Sequence, residues 1–239
     1  NKIVFKRGAV SELAQHIAGL GKHFLVLVDP VFVDTPAMQS VVSQCASIGA
    51  ACDIFSDVHG EPTVELVDEV TALAAKKGCD AVLSLGGGSN IDVGKAVSAL
   101  LTNGGSALDY LEVVGKGKKV TVDPVPFVAI PTTAGTGSEV TKNAVIGSRT
   151  ANFKRSMRSD KMVPTISVVD PELTVSCPKK VTASSGIDAM THLIEAFITW
   201  RATPISDALA IKGIALAAKY LQRAYEDGAD MPSRASMSV

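Results

Sequence analysis

Short apolar runs alternate with longer amphipathic stretches over most of the chain. Residues 24–28 (FLVLV) form one run that stops at Asp29, and residues 52–55 form a weaker one. Residues 81–85 run into Gly86, Gly87 and Gly88, residues 127–130 into Pro131, Thr132 and Thr133, and residues 166–169 into Asp170 and Pro171. Four or five apolar residues that stop at Gly, Pro or Asp are the mark of parallel strands buried on both faces. Residues 9–20, 36–48, 63–77 and 91–102 place apolar positions three and four apart and predict amphipathic helices. Pro36 and Pro62 stand near helix starts, where a missing N–H costs nothing. Gly21, Gly49, Gly78 and Gly104 stand where a left-handed residue can end a helix. The alternation predicts an α/β domain, a Rossmann-like parallel sheet covered on both faces.

After Pro178 the texture changes. Residues 181–199 and 206–225 are helical in pattern with no strand between them. The expected division is therefore a dinucleotide-type α/β domain over residues 1–179 and the beginning of an all-α domain over residues 180–239. Two helices cannot bury a core of their own, and the polar tail 227–239 shows no cap or closing element. The helical domain therefore reads as cut short, and the chain as part of a longer protein.

Composition narrows the functional classes. A hydrophobic content of 46% and a charged content of 20% fit a soluble globular protein with a sizeable core. A net charge of −1 gives no electrostatic support for a nucleic-acid partner. The apolar runs are strand-length, too short to span a bilayer, so no membrane partner is expected. Cys45, Cys52, Cys79 and Cys177 have no CxxC spacing. Together with the lack of a signal pattern at the N-terminus, they read as reduced thiols of a cytoplasmic protein.

The candidate chemistry begins at the glycines. Ligands of open α/β sheets bind at the carboxyl ends of strands. Gly86-Gly87-Gly88-Ser89 sits at such an end, before a helix whose free N–H groups and dipole favour a pyrophosphate. The motif is neither GxGxxG nor a P-loop, since Ala96 follows Lys95. It can equally be a tight strand-to-helix turn, with Ser89 as cap or phosphate donor and Asp92 as a dipole partner. The loop from Pro131 to Ser138 (PTTAGTGS) offers four hydroxyls and two glycines at another strand end. Asp29 can accept both hydroxyls of an adenosine ribose and repel a 2′-phosphate, favouring NAD over NADP, or it can simply cap a turn before Pro30. Asp188 and His192, four apart, share a helix face and can ligate one divalent ion, or form a local surface hydrogen bond.

Four segments in order sharpen these alternatives: GGGSNID (86–92) with Lys95, PTTAGTGSEVT (131–141), VDPELT (169–174) and GIDAMTHLIEA (186–196). Together they resemble the iron-containing (group III) alcohol dehydrogenases, over essentially the whole chain. The resemblance implies that Asp29 contacts the adenosine ribose and that Gly87, Gly88, Ser89 and Asp92 border the pyrophosphate. It implies that Thr132, Thr133, Thr136 and Ser138 line the cofactor path, with Thr136 near the nicotinamide. Lys154 matches a lysine that contacts the cofactor, and Asp188 and His192 match two of four metal ligands, the other two being histidines further downstream than Val239. His59-Gly60-Glu61-Pro62-Thr63 departs from the family, which often has Asn before Pro-Thr. Asn143 and Val145 are candidates for the border of the substrate pocket.

The expected activity is hydride transfer between NAD(P) and a small alcohol or aldehyde, with NAD favoured and iron or zinc as the divalent metal. A homodimer or larger homo-oligomer follows from the resemblance. The alternatives are a polyol dehydrogenase, a dehydroquinate-synthase-like lyase on the same fold, and a dinucleotide-binding fragment without catalysis.

Overall fold

The structure, a computed structural model, describes residues 1–148 and 151–239. In chain order its elements are β1 (Lys2–Phe5), α1 (Ala14–Ile17), β2 (His23–Val28), α2 (Pro36–Ser47), β3 (Ala51–Phe55), α3 (Val64–Lys77), β4 (Ala81–Gly86), α4 (Gly88–Asn103), α5 (Ala107–Tyr110), β5 (Phe127–Pro131), β6 (Asn143–Ser148), β7 (Phe153–Arg158), β8 (Ile166–Val169), α6 (Lys179–Ile198), α7 (Pro204–Glu226) and α8 (Met231–Met237). Two compact units result. One comprises residues 1–4, 8–131 and 138–168, the other residues 5–7, 132–137 and 169–239.

The first unit holds a six-stranded sheet in the order β1-β8-β5-β4-β2-β3. Every pairing from β3 through β2, β4 and β5 to β8 is parallel. All the residues of β4 and β5, and Phe24 to Val28 of β2, are buried, as strands sandwiched between helices must be. Leu25 and Leu27 join the core that α3 and α4 cover. Phe24, Val26 and Val28, fully buried too, alternate to the opposite face. Chain order reverses between β2 and β4. From β2 the chain steps outward to β3, and from β4 it steps the other way to β5 and β8, so the switch point of the sheet lies between β2 and β4.

Local chemistry sets the helix boundaries. Thr35 caps α2 through Met38 N–H, with Pro36 in the first turn, and Thr63 caps α3 through Leu66 N–H. Gly78 (φ 71°) ends α3 in the left-handed region. Gly94 lets α4 lie on the sheet, because a Cβ there would collide with Ser84 Oγ and the ring of Phe127.

Several expectations need correction. Residues 9–20 do not form one helix. Ala9–Glu12 is a 3-10 turn and α1 is a single turn. The reason is α2, whose side chains take the backbone groups that would have bonded each other. Gln44 Oε1 accepts from Ala14 N–H at 3.0 Å, and Ser40 Oγ donates to Val10 O at 3.4 Å. The left-handed glycine after α1 is Gly19 (φ 82°), not Gly21. Strand β1 and the antiparallel pair β6–β7 were not expected; their residues are short or charge-rich, as in Phe153–Arg158 (FKRSMR).

In the second unit α6 and α7 pack closely. A Cβ at Gly186 would strike Leu221, and one at Gly213 would strike Leu193. The tail is not open-ended, as its polarity had implied. Asp230 caps α8 through Ser233 N–H and pairs with Arg223 at 2.9 Å. Arg234, 5% exposed, donates to Thr182 Oγ1 at 2.9 Å and to Gly228 O at 2.9 Å. Large apolar side chains on α6, α7 and their connection remain bare, among them Ile187 (59% exposed), Trp200 (85%), Ile205 (76%) and Leu209 (68%). Among the described residues no helix is long and apolar enough to cross a membrane, and all four cysteines are free thiols.

Candidate functional site

The glycine turn stands at the switch point. Gly86 ends β4, Gly87 is the extended N-cap of α4 (φ −76°, ψ −175°), and Gly88 opens the helix. No side chain among the described residues caps α4. Ser89 is therefore not the cap; it sits within the first turn beside uncapped N–H groups. These groups and the helix dipole make a place for an anion. Beneath the turn, Asn90 is 2% exposed, yet neither amide atom of its side chain has a hydrogen-bond partner among the described residues. A buried amide without partners costs roughly 1–3 kcal/mol, a cost that a bound polar group can remove. Asn90 was missed in the sequence because an Asn after a Ser reads as an ordinary first-turn residue.

Asp29 follows β2 on the other side of the switch point. Its N–H bonds Leu85 O at 2.9 Å, which ties the carboxyl ends of β2 and β4 together. Its Oδ1 accepts from Val31 N–H at 3.1 Å, so the carboxylate does cap the turn at Pro30. That bond engages one oxygen and leaves Asp29 beside the glycine turn, half-buried.

Asp92 is in different company from a simple dipole partner. It is 7% exposed, accepts from Val145 N–H at 2.9 Å and lies 3.2 Å from the Lys95 ammonium. Lys95, 1% exposed, also donates to Thr141 Oγ1 at 3.0 Å and to Asn143 O at 2.5 Å. Burial pushes the Asp92 carboxyl up, against the pull of Lys95, and pushes the Lys95 ammonium down, against that of Asp92. Burial also raises Glu139. Through this pair α4 grips β6, and the candidate pocket residues Asn143 and Val145 are both engaged in the grip. Lys154, on β7, is exposed and pairs with Glu61 at 2.7 Å. Glu61 is the residue at which the chain departs from the family pattern. Ser138 is buried at the start of a 3-10 turn in this unit.

In the second unit Thr132 is buried, Thr133 half-buried and Thr136 exposed. Gly135 lets this loop lie against α6, since a Cβ there would meet Ser185 O at 2.5 Å. Asp170 N-caps the turn of Pro171–Thr174 through Glu172 N–H, and Glu172 pairs with Arg7 at 3.0 Å. Asp188 and His192 lie one turn apart on α6. His192 Nε2 is 3.5 Å from Asp188 Oδ1, and the side chains are about half exposed (51% and 46%). Two donors, one nitrogen and one oxygen, fit half of a mixed-ligand divalent site. Among the described residues no third His, Cys, Asp or Glu joins them.

Comparison with known proteins bears on the whole chain. Residues 1–171 match the family model described as iron-containing alcohol dehydrogenase, and residues 182–239 match that of the family's C-terminal region. The chain is 37% identical over 232 residues to long-chain-alcohol dehydrogenase 1 of Geobacillus thermodenitrificans, covering 97% of the chain and 58% of that protein. It is 37% identical over 236 residues to the NAD-dependent methanol dehydrogenase of Bacillus methanolicus, covering 98% of the chain and 61% of that protein. Among solved structures, sulfoacetaldehyde reductase from Bifidobacterium kashiwanohense in complex with NAD+ superposes with a TM-score of 0.92 at 34% identity, over 99% of this chain and 62% of that one. The chain thus spans about three-fifths of the length of these relatives.

Proposed function

This chain belongs to the iron-containing alcohol dehydrogenase family, and on that premise we propose that it carries the NAD site and the opening of the metal-binding domain of an alcohol dehydrogenase. The reaction is hydride transfer between NAD and a small alcohol or aldehyde. The observation that carries the reading is the uncapped start of α4 at the switch point, flanked by Asp29 and underlain by the unpartnered amide of Asn90.

In this reading Gly87, Gly88 and Ser89 hold the pyrophosphate on their N–H groups. Asp29 accepts the ribose hydroxyls and disfavours a 2′-phosphate, so NAD is preferred to NADP. Thr132, Thr133, Thr136 and Ser138 orient the remainder of the cofactor, and Lys154 offers a cation to its phosphates. Asp92, buried with Lys95, positions α4 rather than touching the cofactor. Asp188 and His192 are two ligands of a divalent metal, iron or zinc, which when bound supplies Lewis-acid polarisation of the substrate oxygen. Residues 1–179 form the dinucleotide domain, and residues 180–239 begin the helical one. The bare apolar side chains of α6 and α7 fit a helical domain of which they are only the opening. The active protein is cytoplasmic and a homo-oligomer.

The test is NADH formation with short alcohols in the presence of ferrous or zinc ion. Turnover that is lost in Asp188→Ala and His192→Ala, with NAD binding retained, supports the reading. Absence of turnover with every alcohol and aldehyde, despite bound NAD and metal, refutes it.

A further inference from the structure

The amino edge of the sheet, opposite the glycine turn, carries a cluster that the proposed reaction does not use. His23 opens β2, Asp53 lies near the start of β3, and Cys79 lies in the turn between α3 and β4. Their nitrogen, oxygen and sulfur donors all lie within 4.8 Å of one another. His23 Nε2 is 2.7 Å from Asp53 Oδ2, and Lys77 Nζ is 3.2 Å from Asp53 Oδ1. Cys79 is 7% exposed, while His23 and Asp53 are 28% exposed, so the trio is sheltered but reachable.

The backbone holds these side chains in place. The Asp80 carboxylate accepts from the N–H groups of Lys22 (2.9 Å) and His23 (2.8 Å), which fixes the start of β2. Gly78, left-handed, turns the chain back, and Cys79 N–H bonds Ala74 O at 3.0 Å. In the parallel register Leu25 lies beside Asp53, so His23 and Asp53 share a face. That face is the one covered by α3, where Cys79 is part of the core. Cys52 alternates to the other face.

We propose that His23, Asp53 and Cys79 form a binding site for a divalent cation of the zinc or cobalt class. One imidazole nitrogen, one carboxylate oxygen and one thiolate are a borderline-soft donor set suited to such ions, with a fourth position left to solvent. Bonds of about 2.0–2.3 Å give tetrahedral ligand–ligand edges of about 3.3–3.8 Å. The widest separation therefore has to close by at most about 1 Å and the 2.7 Å His23–Asp53 contact to open by about 0.6 Å, both within the reach of side-chain rotation. Lys77 holds the Asp53 carboxyl below its ordinary value, so that ligand is already ionised. Burial, reinforced by the neighbouring Asp53 and Asp80 charges, pushes the Cys79 thiol up to about 11. A dication reverses that balance. Cys79 releases its thiol proton to solvent, the imidazole proton shifts from Nε2 to Nδ1, and the ammonium of Lys77 moves off Asp53 into water. Carboxylate, thiolate and dication then sum to zero charge in a half-buried place.

Titration with cobalt(II) alone, followed by thiolate-to-cobalt charge-transfer absorption, tests this. The expected result is a band that saturates at one equivalent, disappears on adding zinc, and is absent in Cys79→Ser. Affinity should fall about 10-fold or more in His23→Gln. Asp188→Ala and Cys52→Ser should keep the band, the first because the α6 pair contains no sulfur. Lys77→Met should bind cobalt more tightly, having lost the competitor for Asp53. Circular dichroism and NAD binding report that the variants are folded. No charge-transfer band in the wild-type chain, or a band that survives Cys79→Ser, overturns the proposal and leaves an ion pair beside a core cysteine. Neither outcome bears on whether NAD binds at the glycine turn.

Discussion

Removing one partner of the Asp92–Lys95 pair should destabilise the protein more than any surface change. Lys95 has a side chain that is 0% exposed, Asp92 one that is 10% exposed, and their charged atoms are 3.2 Å apart. At an effective dielectric of about 20 the gross attraction is about 5 kcal/mol. Much of it is offset by the desolvation of both ions, so the pair by itself adds little to stability. Breaking it is another matter. Lys95→Met leaves the Asp92 carboxylate buried with the Val145 N–H and Ser138 but no countercharge, and Asp92→Asn leaves the ammonium with only the Glu139 carboxyl as a charged neighbour. Either change should cost roughly 3–5 kcal/mol. The double variant removes both charges of the pair and should lose clearly less than the sum of the two, a coupling that a double-mutant cycle reads directly. Urea unfolding of the four proteins measures this through the midpoint at constant slope. The Lys95→Met penalty should also shrink as the pH falls, because burial already raises Asp92 and the orphaned carboxyl can take up a proton. A loss below about 1 kcal/mol in either single variant, or simple additivity in the double one, would refute the reasoning.

Other predictions rest on separate contacts. Gly94→Ala should cost about 1–3 kcal/mol, since its Cβ would collide with Ser84 and the buried Phe127 ring and α4 would have to lift; an unchanged unfolding midpoint counts against that packing. Asp29→Ser should narrow the preference for NAD over NADP, seen as a drop in the ratio of the two dissociation constants, whereas an unchanged ratio means Asp29 only caps its turn. Glu61→Gln should free Lys154 from its 2.7 Å partner and tighten NAD binding severalfold, with a stability change below about 1 kcal/mol because the pair is exposed; weaker binding would argue that Glu61 orients Lys154. Burial holds Glu139 above its ordinary value of 4.5, so its folded form binds a proton more tightly than the unfolded chain. The wild type should therefore lose stability as the pH rises from 4.5 through the folded value, and Glu139→Gln should gain relative to it over that window. A difference that does not vary with pH would contradict the burial argument.

What the sequence determined by itself was whatever depends on neighbours along the chain. The buried strands β2, β4, β5 and β8, the weaker edge strand β3, the helices over α2, α3, α4, α6 and α7, and their Thr, Pro and Gly boundaries follow from apolar period and local hydrogen bonding, which need no knowledge of the fold. The strand-to-helix turn at the glycines and the Asp188–His192 contact were legible for the same reason: each is a short segment whose geometry depends on its own backbone or on one helical turn. The break at Ala14 was not legible, because it depends on Gln44 arriving from another helix. The tail was misread because its polar residues close on Arg223, Gly228 and Thr182 rather than on a pattern of their own. Asp92 looked like a helix-start acid and Lys95 like a failed P-loop lysine until β6 came over them and removed the water. His23, Asp53 and Cys79 come from three separate segments and carry no motif spacing. Only the parallel register, which sets the starts of β2, β3 and β4 side by side, brings them together.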